Sequence, residues 1–496
     1  MRAQGLALSF DDVLLQPGYS AVAPHEVSTN TLFSRNVPLN IPIVSAAMDT
    51  VTESRMAISM AKLGGLGIIH RKLSPEAQAS EVRRVKSHLH GLISDPVCVR
   101  ETMTVEALES MRREKQFGFH SFPVVDEHGK LIGIVTKDDL EFCDTASREL
   151  GEIMTSKGLV TARVGTTLDE AYTEMGTKRK KLLPLINEKG FIGGLYVWSD
   201  VKRIKLGNSK GFNTDKGGQL RVGAAIGTGE KALERLALLV NAGVDVVVID
   251  TAHGDSKQVY ETLDAVKTRS SVDVVVGNIS LNMAARRLWE KGADGIKVGQ
   301  GAGSTCTTRI VSGAGAPQVT AVYECANELK GLGIPVTSDG GKRYSGHITT
   351  AIGAGADAVM LGRMLAGTDQ APGEIITING KLYKALRGMG SLGVMESSAE
   401  SRDRYRQLEF GKDKLVPEGI EGVIPYQGDV ERLIFQYVGG LRAGMGYVGA
   451  HSIEALKSNA GFQRITSGGL AESHPHDITI TKDAPNYRRD ELRLSN

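Results

Sequence analysis

The sequence predicts an α/β protein, a (β/α)8 barrel interrupted by a second, inserted domain. From about residue 220 onward, short β-branched runs alternate with segments of helical pattern, which is typical of a parallel sheet covered by helices on both faces. Nearly every run also ends in glycine or polar residues suited to a ligand site, and barrels build their sites from all of their strand ends. An open, doubly wound sheet fits the alternation equally well, but the second observation favours the barrel.

Six of the eight predicted barrel strands lie in the second half of the chain, and two lie near its start. The six are residues 221–226, 244–249, 272–276, 295–298, 335–337 and 358–361, and the two are residues 41–46 and 67–69. The predicted barrel domain therefore comprises residues 1–92 and 206–496. Within it, residues 368–431 show few strand signals and many charges and glycines, which predicts a long functional or disordered loop region.

Residues 93–205 interrupt this pattern and contain an approximate internal repeat. Segments 122–126 and 133–140 of the first half are echoed by segments 182–186 and 193–200 of the second half. We therefore expect a separate domain over residues 93–205, and a polar, glycine-rich connection over residues 206–219 that returns the chain to the barrel.

The bulk composition excludes several classes of protein. Of the 496 residues, 41% are hydrophobic and 23% are charged, as in ordinary globular proteins. The net charge of +2 gives no reason to expect nucleic-acid binding, and no apolar run approaches the length of a bilayer span. The cysteines show no paired spacing, so neither a zinc site nor a disulfide framework is indicated. Together with an N-terminus that lacks an extended apolar segment, this predicts a cytoplasmic protein without a membrane partner.

The most informative stretch is the loop over residues 299–309, which directly follows a predicted strand. Glycines, which accept backbone dihedrals that other residues resist, alternate at its start, and hydroxyl side chains surround Cys306. These loop residues are Gly299, Gly301, Gly303, Ser304, Thr307 and Thr308. A buried structural cysteine is the commoner fate of a single thiol, but a core cysteine needs neither the glycines nor the hydroxyls. We therefore interpret Cys306 as a nucleophile.

Seven motifs, in order and spread over nearly the whole chain, are more specific than any single glycine loop. They are LSFDDVLL at 8–15, SAAMDTV at 45–51, GSTCTTR at 303–309, GAGAPQ at 313–318, SDGG at 338–341, RGMGSL at 387–392 and ESH at 472–474. On these motifs, the chain resembles the family of IMP dehydrogenases and GMP reductases.

The resemblance implies oxidation of IMP to XMP by NAD, a reaction of guanine nucleotide biosynthesis. Because an aromatic C–H is a poor hydride donor, Cys306 would first add to C2 of the purine, and hydride transfer would then leave a covalent thioimidate. The family hydrolyses this intermediate with an Arg–Tyr pair on a mobile flap, matched here by Arg404 and Tyr405 within a flap at about residues 380–430. Thr308 would help to hold the water. Taken alone, Arg404 would be interpreted as a solvated surface residue.

The same resemblance implies the binding residues. Those assigned to the nucleotide are Met48, Ser304, Asp339, Gly340, Gly341, Gly362, Arg363, Met389, Gly390 and Glu418. Those assigned to NAD are Asp250, Asn278, Gly299 and Gly301. Asp339 would accept both ribose hydroxyls, while glycine-lined strand ends would meet the phosphate. An aspartate at a strand end can also merely cap the next helix.

A potassium ion and an assembly are implied as well. The ligands are the carbonyls of Gly301, Gly303 and Cys306, together with Glu472, Ser473 and His474 of a neighbouring subunit. Main-chain oxygens without clustered carboxylates suit a monovalent cation. A site shared between neighbours requires head-to-tail contacts that close into a ring, so we expect a homotetramer. Alternatively, residues 472–477 are an ordinary polar tail.

Each half of the repeat in residues 93–205 resembles a CBS motif, and the pair resembles a Bateman module. Such pairs often bind purine nucleotides, with a Thr and an Asp near the end of each repeat gripping phosphate and ribose. Thr136 and Asp139 fit this pattern in the first repeat, whereas Val197 replaces the Thr and Asp200 remains in the second. A purely structural insertion is the alternative to a regulatory effector site.

Two other functions remain open. GMP reductase shares the barrel and the thiol loop, but its family lacks the Arg–Tyr flap, so Arg404 and Tyr405 favour the dehydrogenase. A nucleotide-sensing paralogue with little turnover is the second alternative, because the chain departs from the family's usual residues beside the site. These departures are Gln300, Ala302, Thr305, Lys342, Arg363 and Leu386. Either Arg363 and Lys342 bind the phosphate in place of a missing tyrosine hydroxyl at position 386, or both point to solvent.

Overall fold

Eight apolar runs pair side by side as a closed parallel barrel in the computed structural model, which describes residues 5–88, 92–93, 96–114, 117, 119–206, 211–482 and 484–487. The strands, numbered in chain order, are β1 (Val13–Leu15), β2 (Thr31–Ser34), β3 (Val37–Leu39), β4 (Ile43–Ser45), β5 (Leu66–Ile69), β6 (Leu92–Ile93), β7 (Val99–Arg100), β8 (Phe122–Val125), β9 (Leu131–Val135), β10 (Ala162–Arg163), β11 (Leu182–Ile186), β12 (Ile192–Val197), β13 (Gly223–Ile226), β14 (Val246–Asp250), β15 (Asp273–Ile279), β16 (Gly295–Val298), β17 (Val336–Asp339), β18 (Ala358–Leu361), β19 (Ile375–Ile378), β20 (Lys381–Arg387), β21 (Glu421–Pro425) and β22 (Phe462–Arg464).

The helices lie mainly between the barrel strands, where they cover the sheet. They are α1 (Ser54–Lys62), α2 (Pro75–Ser87), α3 (Val105–Glu114), α4 (Lys137–Glu141), α5 (Leu150–Ile153), α6 (Leu168–Lys178), α7 (Trp198–Lys205), α8 (Glu230–Asn241), α9 (Lys257–Arg269), α10 (Asn282–Glu290), α11 (Thr308–Val311), α12 (Gln318–Glu328), α13 (Ser345–Gly353), α14 (Arg363–Ala366), α15 (Leu392–Ser397), α16 (Ala399–Arg404), α17 (Val430–Val448), α18 (Ile453–Asn459) and α19 (Ser467–Glu472). Short 3-10 helices occupy Phe10–Asp12 and Lys412–Lys414. No helix in the described part of the chain is long and apolar enough to cross a membrane.

The barrel strands are buried on both faces, which explains why their sequences are nearly continuous apolar runs. Every residue of β14 is buried, for example, and Val247 of that strand pairs with Val274 of β15. The closed order is β13, β14, β15, β16, β17, β18, β4 and β5. The predicted (β/α)8 barrel is therefore confirmed, and all eight predicted strands are present with shifts of at most three residues at their ends.

The chain divides into two compact units, one formed by Met1–Lys86 with Gly211–Asn496 and the other by Ser87–Lys210. The second unit contains two sheets, β10-β11-β12-β6 and β7-β8-β9, each with an antiparallel pair followed by a helix. Each sheet has its own apolar cluster, around Phe122 in one and around Leu183 in the other. The repeat in the sequence thus corresponds to two similar halves. Residues 207–210 of the expected connection lie outside the described residues.

The prediction of few strands in residues 368–431 is wrong. β19, β20 and β21 form an antiparallel sheet there, with Lys384 opposite Ile424. All four residues of β19 are exposed, so the sequence lacks the alternation of a half-buried strand. Regular structure also continues after residue 429. α17 spans nineteen residues from an Asp429 cap to Gly449, and α18, β22 and α19 follow, with β22 pairing with β1.

Within the barrel unit, hydrogen bonds join the chain segment before the insertion to the segment after it. The Lys86 ammonium donates to Asp215 at 2.7 Å and to Asp245 at 2.9 Å, and the Asn40 amide donates to the Gly211 carbonyl at 2.9 Å. Since these partners lie on both sides of the insertion, the barrel can close without it.

We predict that replacing residues 88–210 by about eight glycine and serine residues leaves a folded barrel, because such a linker reaches up to about 26 Å. Circular dichroism and thermal unfolding would measure this as a retained cooperative transition. Adding Lys86→Met to the same deletion should lower the melting temperature, because Asp215 and Asp245 lose their buried cation. A deleted chain that melts without cooperativity would contradict the prediction.

Candidate functional site

The carboxyl ends of the barrel strands carry the polar residues that the sequence singled out. β14 ends at Asp250, β17 ends at Asp339, and Asn278 lies one residue before the end of β15. Because all eight strands are parallel, these ends open on one face of the barrel, where barrel enzymes build their sites. The predicted ligand residues therefore converge.

Lys297 of β16 lies at the centre of this face and is 2% exposed. Its ammonium donates to Asp250 Oδ1 at 2.9 Å, to Asp339 Oδ2 at 2.8 Å and to the side-chain carbonyl of Asn278. The Asn278 amide in turn donates to Asp339 at 2.9 Å. Asn278, which was predicted to bind NAD, therefore also orients Asp339, which was predicted to bind the nucleotide. Burial would raise the pKa of Asp339, but the charge and hydrogen bond of Lys297 outweigh it and hold the pKa below its usual value.

The sequence reasoning missed Lys297. The available signal was a charged side chain inside an otherwise apolar strand, since lysine is almost never fully buried unless it is paired.

The thiol of Cys306 heads a short hydrogen-bonded chain. Its Sγ donates to the Thr308 hydroxyl at 3.1 Å, and that hydroxyl donates to Glu418 Oε2 at 2.7 Å. The backbone holds the same geometry, because the Thr307 amide donates to the Glu418 carbonyl at 2.9 Å. Glu418 was predicted to contact the purine base. Its carboxylate is also connected to the thiol through the single hydroxyl of Thr308. This arrangement gives the thiol proton a route to a carboxylate.

The other cysteines lack such a setting. Cys325 is buried in α12, and burial raises the pKa of its thiol to about 12, which makes it a poor nucleophile. Cys98 and Cys143 lie in the inserted unit. The interpretation of Cys306 as the nucleophile is consistent with this distribution.

Glycines let the nucleotide loops approach one another closely. Gly340 and Gly341 have φ values of +83° and +81°, and a Cβ at Gly340 would come within 3.1 Å of the Gly303 nitrogen. At β18, a Cβ on Gly362 would lie 3.0 Å from the Met48 sulfur. A side chain at Gly340 would separate the β17 end from the thiol loop, and one at Gly362 would displace Met48.

The segment that carries Arg404 is docked on the barrel in this structure. The Arg404 guanidinium forms a close ion pair with Asp250 Oδ2, on the oxygen that Lys297 leaves free. Asp403 binds the buried Arg71 at 3.1 Å, and Glu400 lies 3.6 Å from the buried Arg235. Arg71 and Arg235 were not predicted as site residues.

Tyr405 lies beside the residues expected to contact the base. A side chain on Gly390 would overlap the Tyr405 ring, and the Ser401 hydroxyl binds the Met389 carbonyl. Burial raises the pKa of Tyr405, the charge of Arg404 opposes this, and the nearby Cys306 and Glu418 add smaller upward contributions. The predicted flap pair and the predicted base contacts are thus neighbours.

Two cavities open on this face. The larger, of about 720 Å³, is lined by both flap residues and by Thr308, Glu418, Ala252, His253, Ser280, Gln300 and the Ala314–Pro317 loop. The smaller, of about 80 Å³, is lined by Met48, Ser304, Thr305, Asp339, Gly340, Gly341, Lys342, Gly362, Arg363 and Leu386. The predicted sugar and phosphate residues share the smaller cavity.

Gln300, one of the unusual residues, joins three strand-end loops. Its amide donates to the Ala252 carbonyl at 3.1 Å and lies 3.0 Å from His253 Nδ1, while its carbonyl accepts the Ser280 hydroxyl at 2.6 Å. An apolar side chain could not make these contacts, so Gln300 stiffens the wall of the larger cavity.

The loop expected to hold potassium is tightly folded. The Gly303 carbonyl accepts the Cys306 amide at 3.0 Å, and the Arg309 side chain packs against Gly301. Glu472 ends α19, and His474 packs edge-on against Tyr344 of the same chain. Among the described residues, no cluster of His, Cys, Asp and Glu could hold a metal, so carbonyl oxygens are the donor set available in this loop.

Comparison with known proteins agrees with this geometry. A family model described as "IMP dehydrogenase / GMP reductase domain" matches residues 7–476. The chain belongs to the IMP dehydrogenase/GMP reductase family. An inosine-5'-monophosphate dehydrogenase from Aquifex aeolicus is 52% identical over 485 residues, which is 97% of this chain and 97% of that relative. One from Bacillus subtilis is 46% identical over 484 residues, again 97% of each.

A solved structure of the same family has a related fold. It is a cysteine-to-alanine variant of GMP reductase from Trypanosoma brucei in complex with guanosine 5'-monophosphate, with a TM-score of 0.87 and 40% identity. The alignment covers 96% of this chain and 99% of that one. The family predicted from the seven motifs is therefore confirmed.

We predict that Thr308→Val lowers kcat about 10²-fold, because valine keeps the shape but breaks the hydrogen-bonded chain from Cys306 to Glu418. Thr308→Ser, which keeps the hydroxyl, is the matched control and should retain most of the activity. Steady-state NADH formation from IMP across a pH series would measure both variants. Equal rates for the two would show that the hydroxyl has no part in proton transfer.

Proposed function

We propose that this chain is an NAD-dependent IMP dehydrogenase, which oxidises IMP to XMP in guanine nucleotide biosynthesis. The observation that carries the proposal is the position of Cys306 and the Arg404–Tyr405 pair on one face of the barrel. A thiol alone would serve oxidation and reduction alike, whereas hydrolysis of a covalent intermediate requires a second group. The Aquifex and Bacillus relatives, which are named as IMP dehydrogenases, support the same activity.

GMP reductase is the second candidate, because the Trypanosoma brucei protein has the same fold at 40% identity. The reaction of a reductase does not require hydrolysis of a thioimidate. The docked Arg404, held by Asp250 next to the thiol loop, therefore favours the dehydrogenase. A sensing paralogue without turnover is disfavoured, since the Cys306–Thr308–Glu418 chain is intact.

The first step is the addition of sulfur to carbon. The Cys306 thiolate forms a bond to C2 of IMP, and the thiol proton passes through Thr308 to Glu418. The hydride then leaves C2, and the C2–S bond remains in a thioimidate. Asp339 would accept the ribose hydroxyls, because Lys297 and Asn278 keep its carboxylate ionised and oriented.

NAD would supply the acceptor for this hydride. The larger cavity fits the role, since it adjoins Thr308 and is walled by Ala252, His253 and Gln300. Asp250 was predicted as a dinucleotide contact, yet here it binds Arg404. A dinucleotide hydroxyl at Asp250 would share this carboxylate with Arg404, so hydride transfer and hydrolysis would use different positions of the segment that carries Arg404.

Hydrolysis would use Arg404 and Tyr405. Water attacks C2, the C2–S bond breaks to release XMP, and the water proton passes to a base. Burial lowers the pKa of the Arg404 guanidinium, Tyr405 opposes this, and the neighbouring Arg71 lowers the pKa further. This balance supports a proton-accepting role for Arg404 once its contact with Asp250 loosens.

A potassium ion fits the loop of Gly301, Gly303 and Cys306, because carbonyl oxygens without carboxylates suit a monovalent cation. Glu472, Ser473 and His474 of a neighbouring subunit would complete the set, which supports a homotetramer. The ion would fix the thiol loop, and it takes no part in the chemical steps.

The inserted unit would be a pair of CBS motifs with a purine nucleotide effector. Thr136 caps α4, because its hydroxyl accepts from the Asp139 amide, and the Asp139 carboxylate accepts from the Thr136 amide in return. Both side chains therefore lie at the helix start after β9. In the second half, Asp200 binds Arg203 instead. We infer that the first half is the better nucleotide site. A cytoplasmic location follows from the chemistry, since Cys306 must remain a reduced thiol.

Cys306→Ala should bind IMP normally and produce no NADH, because the C2 adduct cannot form. Incubating the native enzyme with 6-chloro-IMP should give a covalent adduct that peptide mass spectrometry maps to Cys306. Cys325→Ala is the control, and it should be active and still be labelled. Near-native turnover by Cys306→Ala would refute the mechanism.

Arg404→Ala should separate the two chemical steps. If Arg404 activates water, rapid mixing of this variant with IMP and NAD should still give a burst of NADH, followed by slow turnover and accumulated thioimidate. Arg402→Ala, which lies on the same helix, should behave like the native enzyme. Loss of the burst would assign Arg404 to binding or folding instead.

A further inference from the structure

Lys342 follows the Gly340–Gly341 turn and is 4% exposed. Its ammonium donates to the Ser338 carbonyl at 2.9 Å, to the Ser338 hydroxyl at 3.1 Å and to the Gly340 carbonyl at 2.8 Å. It also lies 5.7 Å from the centre of the Phe10 ring. The alternative that Lys342 points to solvent is therefore wrong.

All of these acceptors are neutral. The hydrogen-bonding capacity of the ammonium is satisfied, but within the described residues no carboxylate lies within ion-pair distance of it. Lys297, by contrast, meets two carboxylates. Burial lowers the pKa of Lys342 to about 7, and the charge of Asp339 only partly opposes this. The site thus holds a buried positive charge that lacks a direct counter-ion.

The position of Lys342 indicates what the counter-ion is. Lys342 lines the smaller cavity together with Ser304, Gly341, Gly362 and Arg363. In chain order, β17 and β18 are the seventh and eighth barrel strands, and barrel enzymes frequently bind phosphate at the loops after these two strands. An anion in this cavity would lie on the turn that the Lys342 ammonium supports.

We propose that Lys342 is a positioning residue of the phosphate subsite, whose buried ammonium favours nucleotides that carry a dianionic 5′-phosphate. The inference rests on the proposed function, since it concerns the phosphate of the same substrate. Lys342 would act on the phosphate through its charge and through the Gly340–Gly341 turn, because its ammonium holds the Gly340 carbonyl in place.

The proposal predicts how IMP binding depends on pH. A bound dianion stabilises the charged ammonium, so the pKa of Lys342 rises on binding and a proton is taken up above about pH 7. Affinity should rise through about pH 6 as the phosphate becomes a dianion, then fall above about pH 7 as free Lys342 loses its proton.

Other charged groups around Lys342 do not reproduce this profile. They are Asp339, Asp11, Arg343, His347 and Arg363. Burial lowers the pKa of His347 to about 4, so His347 does not titrate near pH 7 to 8. Asp11 pairs with Arg343. Asp339 is held ionised by Lys297.

The test is calorimetric binding of IMP without NAD, from pH 5.5 to 8.5, in two buffers of different ionisation enthalpy. The native protein should take up a proton at pH 8. Lys342→Gln keeps donors for the carbonyls and removes the charge. At pH 6.5 it should bind IMP about tenfold more weakly for each unit by which the bound phosphate raises the pKa of Lys342. The affinity of this variant should not decline above pH 7. Lys342→Met should behave in the same way.

Lys384→Met is the matched control. Lys384 is also buried, at 2% exposed, and donates to the carbonyls of Thr368 and Ala371, but it does not line this cavity. Its removal should leave the pH profile of IMP binding unchanged. If Lys342 had a purely structural role, Lys342→Gln would bind IMP as tightly as the native protein and would show the same pH profile of binding.

Two results would overturn the inference. One is native binding without proton uptake at pH 8, which requires no variant to fold. The other is an unchanged affinity and pH profile in Lys342→Gln. If the native protein fails to bind IMP at all, the proposed function itself fails; if it binds IMP but forms no NADH, the proposed function fails while the binding test still decides the role of Lys342.

Discussion

The buried ammonium of Lys297 fixes the geometry on which the site depends. Asp339 ends β17, which pairs with β16, and Asp250 ends β14, which lies two strands away on the other side, yet both carboxylates turn inward onto this one cation. Removing one partner from a buried ion pair costs about 3–5 kcal/mol, because the remaining charge loses its compensation. Asp339, which is proposed to bind the nucleotide, and Asp250, which is proposed to bind the dinucleotide, are thus coupled through a lysine that is assigned to neither ligand.

Asp250 links this cluster to the segment that carries Arg404. One oxygen accepts from Lys297 and the other from Arg404, so the carboxylate keeps a cation when the flap leaves. Arg71 is different, since it is 5% exposed and pairs with Asp403 of the flap. Undocking would leave its guanidinium without that partner. If the flap opens as proposed, the electrostatic cost would therefore lie at Arg71, while Asp250 would remain paired with Lys297.

The sequence predicted those parts of the molecule that local pattern determines. The eight barrel strands are buried on both faces, so their sequences are apolar runs that can be recognised as strands. The thiol loop is recognised by its glycines and hydroxyl residues. Exposed β19 has no such pattern, and β20 pairs with β21 across about forty residues, so the sheet was missed. Contacts such as Lys297 with Asp250 or Thr308 with Glu418 join distant segments, and only the fold brings them together.

The barrel unit contains buried lysines of two kinds, and the difference carries physical meaning. Lys297 is neutralised by carboxylates and is complete without a ligand. Lys342 meets only carbonyl and hydroxyl dipoles beneath a glycine turn, so its charge is stabilised by the protein but balanced by none of its direct contacts. A charge left in this condition extends its field into the adjoining cavity, because a low-dielectric surrounding screens it weakly. The cavity therefore favours an anion, and the phosphate of the proposed nucleotide would complete an electrostatic balance that the direct contacts of Lys342 leave open.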